Sequence, residues 1–267
     1  MATDFSRHSR RLSNFPSAQI EELLTDESIL ILPIGAIEQH GPHLPVNTDL
    51  VIAQAAAEAL ATQCGERLNA WLLEPLAYTK SNEHAGSPGT VWLGPETMLR
   101  VLDDIGRSLA ATPARKLVLL NGHGGNSSLL NVASRELHLH HGLDVFLMHP
   151  VVPPDQGGPS SESELGMGIH AGLGETSMML YLAPELVQME HAARSIPEHL
   201  SANQHVRFGG AVSFGWLARD FDDSGVIGDP TEATADLGKQ HFEAAIDLLV
   251  DALDEVATFR FRTYKRR

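Results

Sequence analysis

Glu38, His40 and Asp49 fall within one twelve-residue run, Glu38-Gln-His40-Gly-Pro-His43-Leu-Pro-Val-Asn-Thr-Asp49. An acid and a histidine at i and i+2 of extended chain project to the same side, so Glu38 and His40 can converge on one point. Metal ligands are arranged in this way. A second cluster, Gly122-His123-Gly-Gly-Asn126, follows the apolar run Lys116-Leu-Val-Leu-Leu-Asn121, and Glu175 stands five residues after His170. Glu38, His40, Asp49, His123 and Glu175 together offer imidazole nitrogen and carboxylate oxygen, a donor set suited to zinc, manganese or iron(II). They suffice for two divalent ions if Asp49 bridges. Two ions roughly 3.5 to 4 Å apart ionise a bridging water and polarise a carbonyl, so the chemistry expected is hydrolysis of an amide or related C–N bond.

Other readings of the same residues stay open. Asp49, beside Asn47 and Thr48, could simply cap a helix, and His123 in its glycine turn could be a structural hydrogen-bond partner. The glycines around His123 could form a phosphate-binding nest ahead of a helix, although the spacing matches neither nucleotide fingerprint. His138, His140 and His141 sit at a helix end, where the dipole favours exposed histidines, and are assigned no site. Serine chemistry lacks a Gly-x-Ser-x-Gly elbow, and Ser127-Ser128 have no evident base partner. Cys64, in an alanine-rich stretch, reads as a buried inert thiol.

The elements that must position these residues follow from apolar patterning. The run over 29–35 reads as a buried strand, with a helix from Asn47-Thr48-Asp49 through Leu60. Trp71 to Leu76 gives a second strand. A helix with proline in its first turn starts at Gly94-Pro95-Glu96 and presents Met98, Leu99, Val101, Leu102, Ile105 and Leu109 inward. A strand over Leu117 to Leu120, a helix over Ser127 to His140 and a strand over Asp144 to Met148 follow. Both ligand clusters lie just past a strand, where open α/β sheets bind ligands. The strand–helix alternation predicts an α/β fold, three-layer α/β/α with a mostly parallel sheet, in a single domain over 1–267. Residues 151–168, rich in proline and glycine, read as an irregular loop that shapes or covers a site. Helices over Glu175 to Leu182 and Thr231 to Ala257 flank a stretch to Asp229 that carries no clear pattern.

Composition narrows the partners. Lys plus Arg number 19 against 34 for Asp plus Glu, a net charge of −15 that opposes binding to nucleic acid or an anionic membrane. The single cysteine excludes a disulfide framework and a thiolate metal site. Neither a signal sequence nor a run approaching the ~20 apolar residues of a membrane span is evident, so the cytoplasm is expected. The cations from Arg260 to Arg267 read as a solvated terminus.

The motifs Gly-Ala-Ile-Glu38-Gln-His40-Gly-Pro-His43-Leu-Pro with Asp49, Asn121-Gly-His123-Gly-Gly-Asn126 and His170-Ala-Gly-Leu-Gly-Glu175-Thr-Ser resemble the creatininase (creatinine amidohydrolase) family. Glu83-His84-Ala-Gly-Ser-Pro-Gly-Thr90 resembles a family segment that lines the site. The resemblance implies a layered α/β/α fold, two divalent ions per chain (zinc, with manganese or iron(II) as alternatives) and a homo-oligomer, a hexamer built as a trimer of dimers. Carried over, Glu38 and His123 would hold one metal, His40 the other, with Asp49 between them. The sequence departs from creatininase itself at Gly125, where creatininase places an acidic ligand. The Gly-Gly form resembles members that deformylate a pyrimidine intermediate or trim a peptide during cofactor maturation. Glu175 becomes the replacement ligand, and His170 resembles the proton-transfer residue. The activity expected is hydrolysis of a small cyclic or formyl amide. A family peptidase trimming a short peptide, or a non-catalytic phosphate or nucleotide binder, are the alternatives.

Overall fold

The computed structural model describes residues 10–152, 158 and 161–261. Its centre is a sheet of four parallel strands, β1 (Ile29–Ile34), β2 (Ala70–Leu72), β3 (Lys116–Asn121) and β4 (Asp144–Met148), in the order β2-β1-β3-β4. Every residue of β1 and β3 is buried, as the unbroken apolar runs predict for strands covered on both faces. Their register pairs Ile29 with Lys116 and Ile34 with Asn121, so the two strands end level. The parallel α/β fold read from the sequence is therefore present.

A short helix, α1 (Ser17–Leu23), precedes the sheet, and the crossovers are α2 (Thr48–Cys64), α3 (Pro95–Ala110) and α4 (Ser127–His141). The pleat sends Ile29 and Ile31 to one face and Leu30, Leu32 and Ile34 to the other. On the first face they meet Ala56, Ala57 and Leu60 of α2 and, beyond α5 (Leu173–Leu182) and the single turn α6 (Glu198–Ser201), Phe242, Ile246 and Leu253 of α7 (Ala235–Thr258). The second face packs on Met98 and Leu102 of α3 and Leu130, Ala133 and Leu137 of α4. Cys64 is buried, its thiol donating to the Leu60 carbonyl.

Two expectations need correction. β2 ends at Leu72 rather than Leu76 because Pro75 has no N–H. Leu73 N and Leu76 N still donate to Ile31 and Pro33, and Glu74-Pro75 bulges between them. The last helix starts at Ala235, not Thr231. Asp229 caps a separate 3₁₀ turn over Pro230–Glu232, and Thr234 accepts from Leu237 N to begin α7 anew. The unpatterned stretch before Asp229 is built of short turns around Met167, Leu200, Phe208 and Ile227, with Phe214, Trp216 and Phe221 packed on them. Of the loop read over 151–168, residues 153–157, 159 and 160 lie outside the described residues, as does the tail beyond Phe261. Among the described residues no helix is long and apolar enough to cross a membrane.

Candidate metal centre

β1 and β3 are neighbours, yet the chains leaving them turn to opposite faces, α2 on one and α4 on the other. Such a divergence opens a crevice beyond the carboxyl ends of the strands. α2 begins very close to them. A Cβ on Gly35 would stand 2.5 Å from Leu50 Cα, and one on Gly122 would stand 2.7 Å from the Asp49 carbonyl oxygen. Glycine at both places lets the first turn of α2 settle between the two strand ends, with Asp49 between the loop that carries Glu38 and His40 and the turn that carries His123.

All six residues singled out from the sequence meet there. Asp49 Oδ1 lies 3.2 Å from His40 Nε2, and Oδ2 lies 3.0 Å from His123 Nδ1. Glu38 Oε1 is 3.3 Å from His123 Nδ1 and 3.7 Å from His170 Nδ1. Metal-sized donor groups form from Glu38, Asp49 and His123, from His40, Asp49 and Glu175, and from Glu38, His40 and His170. Asp49 is common to the first two. It does not cap α2: the N-cap is Asn47, without a side-chain cap bond, and the Asp49 carboxylate faces the imidazoles instead.

The residues fit cations. Glu38 is fully buried, and among the described residues its carboxylate oxygens and Asp49 Oδ2 face only the surrounding imidazoles, with no other donor. Buried carboxylate oxygens left so are costly, and a bound divalent ion is the group that would complete them. His40 Nδ1 lies 3.0 Å from the Glu38 carbonyl oxygen, which can only accept, so Nδ1 donates and Nε2 is the nitrogen turned to Asp49.

Protonation points the same way. Burial raises the Glu38 and Glu175 carboxyls to about 7. Burial alone would lower His40 and His123, but Asp49 lifts His40 to about 10, and Glu38 and Asp49 hold His123 well above its usual value. Against the effect of burial, these imidazoles hold Asp49 below the ordinary carboxylate range. Without metal, the centre supplies its own positive charge as two imidazolium rings around one carboxylate. His84 and His170 behave oppositely: burial lowers His84 to about 3 and His170 well below its usual value, so both rings are neutral.

The His170 ring lies between two other imidazoles, tilted to both, its centroid 4.2 Å from those of His40 and His84. It leads into Ala171, a fully buried non-glycine residue at φ 52°, a left-handed conformation that costs about 1–2 kcal/mol. Strain of this kind marks over-determined, functional backbone. Ala171 N donates to Glu175 Oε2 at 2.6 Å, which fixes the carboxylate at the start of α5.

Other residues of the centre are not evident from ligand spacing. Gln39 Nε2 donates to His84 Nδ1 at 2.9 Å and to the Gly225 carbonyl at 3.0 Å. Glu83 lies 3.4 Å from His123 Nε2. Buried Glu164 accepts from Leu173 N and Asp229 N, both at 2.9 Å, pinning the start of α5. Only the acid–histidine pair in Glu83-His84 offered a local signal. His43 takes no part, its Nε2 lying 2.9 Å from Thr176 Oγ1. His138, His140 and His141 disperse to Leu143, Glu136 and Asp103. The carboxylates facing the glycine turn would repel a phosphate, which disfavours the nest reading.

A cavity of about 630 Å³ opens on the centre. Glu38, Asp49, His123, His170 and Glu175 line one part of it, and Val151, Ile169, Leu173, Met178, Trp216 and Leu248 give the rest an apolar wall.

The family model for creatininase, described as creatinine amidohydrolase, matches residues 13–253. A mycofactocin precursor peptide peptidase of Mycobacterium ulcerans is 35% identical over 256 residues, covering 92% of this chain and 93% of that protein. A creatinine amidohydrolase of Pseudomonas putida is 36% identical over 190 residues, covering 64% and 70%. Two solved creatininase structures, one a Zn-Zn type and one a Mn form, each superpose with a TM-score of 0.71 at 26% identity, covering 92% of this chain and 98% of theirs.

Proposed function

Since the chain belongs to the creatininase family, we propose that it is a metal-dependent hydrolase of C–N amide bonds whose substrate is a short peptide with an apolar end. The observation that carries the reaction is the pair of donor triads sharing Asp49 at the mouth of one cavity. Glu38, Asp49 and His123 would hold one ion and His40, Asp49 and Glu175 the other. When bound, such a pair supplies an ionised water and polarises the carbonyl under attack. Zinc and manganese both suit the donors.

The chain's own residues do the rest. His170 Nε2 is committed to the Gln39 carbonyl at 2.7 Å, which leaves Nδ1 on the Glu38 side to take and return a proton as the leaving amine departs. The apolar wall from Ile169 to Trp216 accommodates side chains, and a cavity of this size holds far more than creatinine fills. The similarity to peptide peptidases over nearly the whole chain supports the same substrate class.

Hydrolysis of a small cyclic or formyl amide is the second reading, favoured by the likeness to creatinine amidohydrolase. Metal-loaded protein incubated with short peptides of varied apolar ends, creatinine, hydantoins and formylated aminopyrimidines, followed by mass spectrometry, separates the two. Peptide fragments support the first reading; turnover of the small amides alone replaces it with the second. A chain that cannot be loaded with metal would sink both.

A further inference from the structure

Position 125, two residues beyond His123, is glycine for want of space. A Cβ there would stand 1.6 Å from Glu83 Oε1 and 2.5 Å from His123 Nε2. The carboxylate of Glu83, arriving from the 3₁₀ turn Asn82–His84, occupies the volume that a side chain at 125 would need. Glu83 is buried, and Lys80 Nζ donates to its Oε2 at 2.6 Å, so its charge is balanced locally. Lys80 is itself tied to the glycine turn, its N–H donating to Asn126 Oδ1 at 3.1 Å.

This segment faces the outer edge of the His123 ring. Nδ1 points at Asp49 and Glu38, whereas Nε2 lies 3.1 Å from the Lys80 carbonyl oxygen and 3.4 Å from Glu83 Oε1. Both neighbours of Nε2 are acceptors. With a cation on the Nδ1 side, these two acceptors hold the remaining ring proton on Nε2 and leave the Nδ1 lone pair to the metal. Carboxylates placed behind ligating imidazoles raise ligand basicity and typically change metal affinity 10–100-fold.

We infer that Glu83 is a positioning residue for His123, and that Glu83 and Gly125 are a reciprocal pair in which the acid reaches the centre from the 79–84 segment because position 125 is empty. Glu83 orients the ring and binds no metal, being on the side of His123 away from Glu38 and Asp49. The inference rests on the metal-dependent reading above.

The test uses the full chain with Glu83→Gln, Glu83→Ala, Gly125→Ala and the double variant Glu83→Ala/Gly125→Ala. Competitive zinc titration of the metal-free proteins should show Glu83→Gln keeping the native stoichiometry while one of its two ions binds about 10–100-fold less tightly. Thermal melting of the metal-free proteins should show Gly125→Ala lowering Tm in the native background and much less so in the Glu83→Ala background. Loss of a whole metal equivalent in Glu83→Gln would make Glu83 a ligand and overturn the positioning role, as would zinc affinity unchanged within twofold. Equal Tm losses for Gly125→Ala in both backgrounds would overturn the reciprocal pair. A native chain that takes up no zinc refutes the metal reading and the role at His123 together, while the melting cycle still decides whether the two positions exclude each other.

Discussion

His170 Nε2 lies 2.7 Å from the carbonyl oxygen of Gln39, which fixes the ring proton on that nitrogen and leaves Nδ1 facing Glu38. The contact between Gln39 Nε2 and the same ring nitrogen, at 3.3 Å, is therefore not a hydrogen bond, and the amide is directed instead to His84 and Gly225. A backbone carbonyl thus sets the direction in which His170 can accept a proton.

His170→Ala should retain both metals and lose roughly 10² to 10⁴-fold in turnover, the usual contribution of a positioned acid or base. Metal analysis and kinetics on one preparation are needed, because Glu38, His40 and His170 also form a metal-sized group. Loss of metal would make His170 a ligand, and near-native turnover with full metal would remove it from the reaction.

Asp49→Ala should cost more metal than the loss of any other single donor, since Asp49 alone belongs to both triads that would hold the ions. Helix capping forecasts a different result, about 1 kcal/mol of stability lost with metal content kept. Stoichiometry and melting temperature of this one variant distinguish them.

Glu175→Gln should lower occupancy beside His40 and largely spare the ion held by Glu38, Asp49 and His123. Because the Ala171 N–H fixes one Glu175 oxygen, the amide variant can keep that bond only with its own oxygen, turning its NH₂ toward the centre. Two full equivalents of metal and native activity in Glu175→Gln would refute its role as a ligand.

Metal uptake should release protons, and affinity should rise with pH. In the metal-free centre His40, raised to about 10, and His123, raised well above its usual value, are protonated at neutral pH and must lose a proton from the ligating nitrogen. Above about pH 7 the Glu38 and Glu175 carboxyls are already ionised; below it they add their protons to those released. Calorimetry in buffers of different ionisation enthalpy should find more protons released per metal at pH 6 than at pH 8, and equal release at both would contradict this assignment.

What could be read from the chain and what could not divide along physical lines. β1 and β3 are legible because strands covered on both faces must be apolar throughout, and Glu38, His40, Asp49 and His123 are legible because they follow those strands at short spacing. Gln39 is not, since its role depends on contacts with His84 and Gly225 that no local period records, and Glu83 is legible as part of a segment lining the site but not as the neighbour of His123. Glu164 is hidden for a similar reason: its partners, Leu173 N and Asp229 N, are backbone groups brought together by the stretch that has no amphipathic pattern. The end of β2 is hidden because apolar residues resume at Leu76 after Glu74-Pro75, and composition does not reveal that the ladder is interrupted there.

The level ends of β1 and β3 also constrain the order in which the molecule assembles. Glu38 and His123 sit on separate crossover units, and Glu175 arrives from α5 after the last strand. Each donor triad among the described residues joins the 38–49 run to His123, His170 or Glu175, so none is complete until distant segments have met. Closing such long loops is slow and comes with the sheet, not before it. On the proposed reading, an ion meets its full set of donors only in a chain whose sheet has already formed.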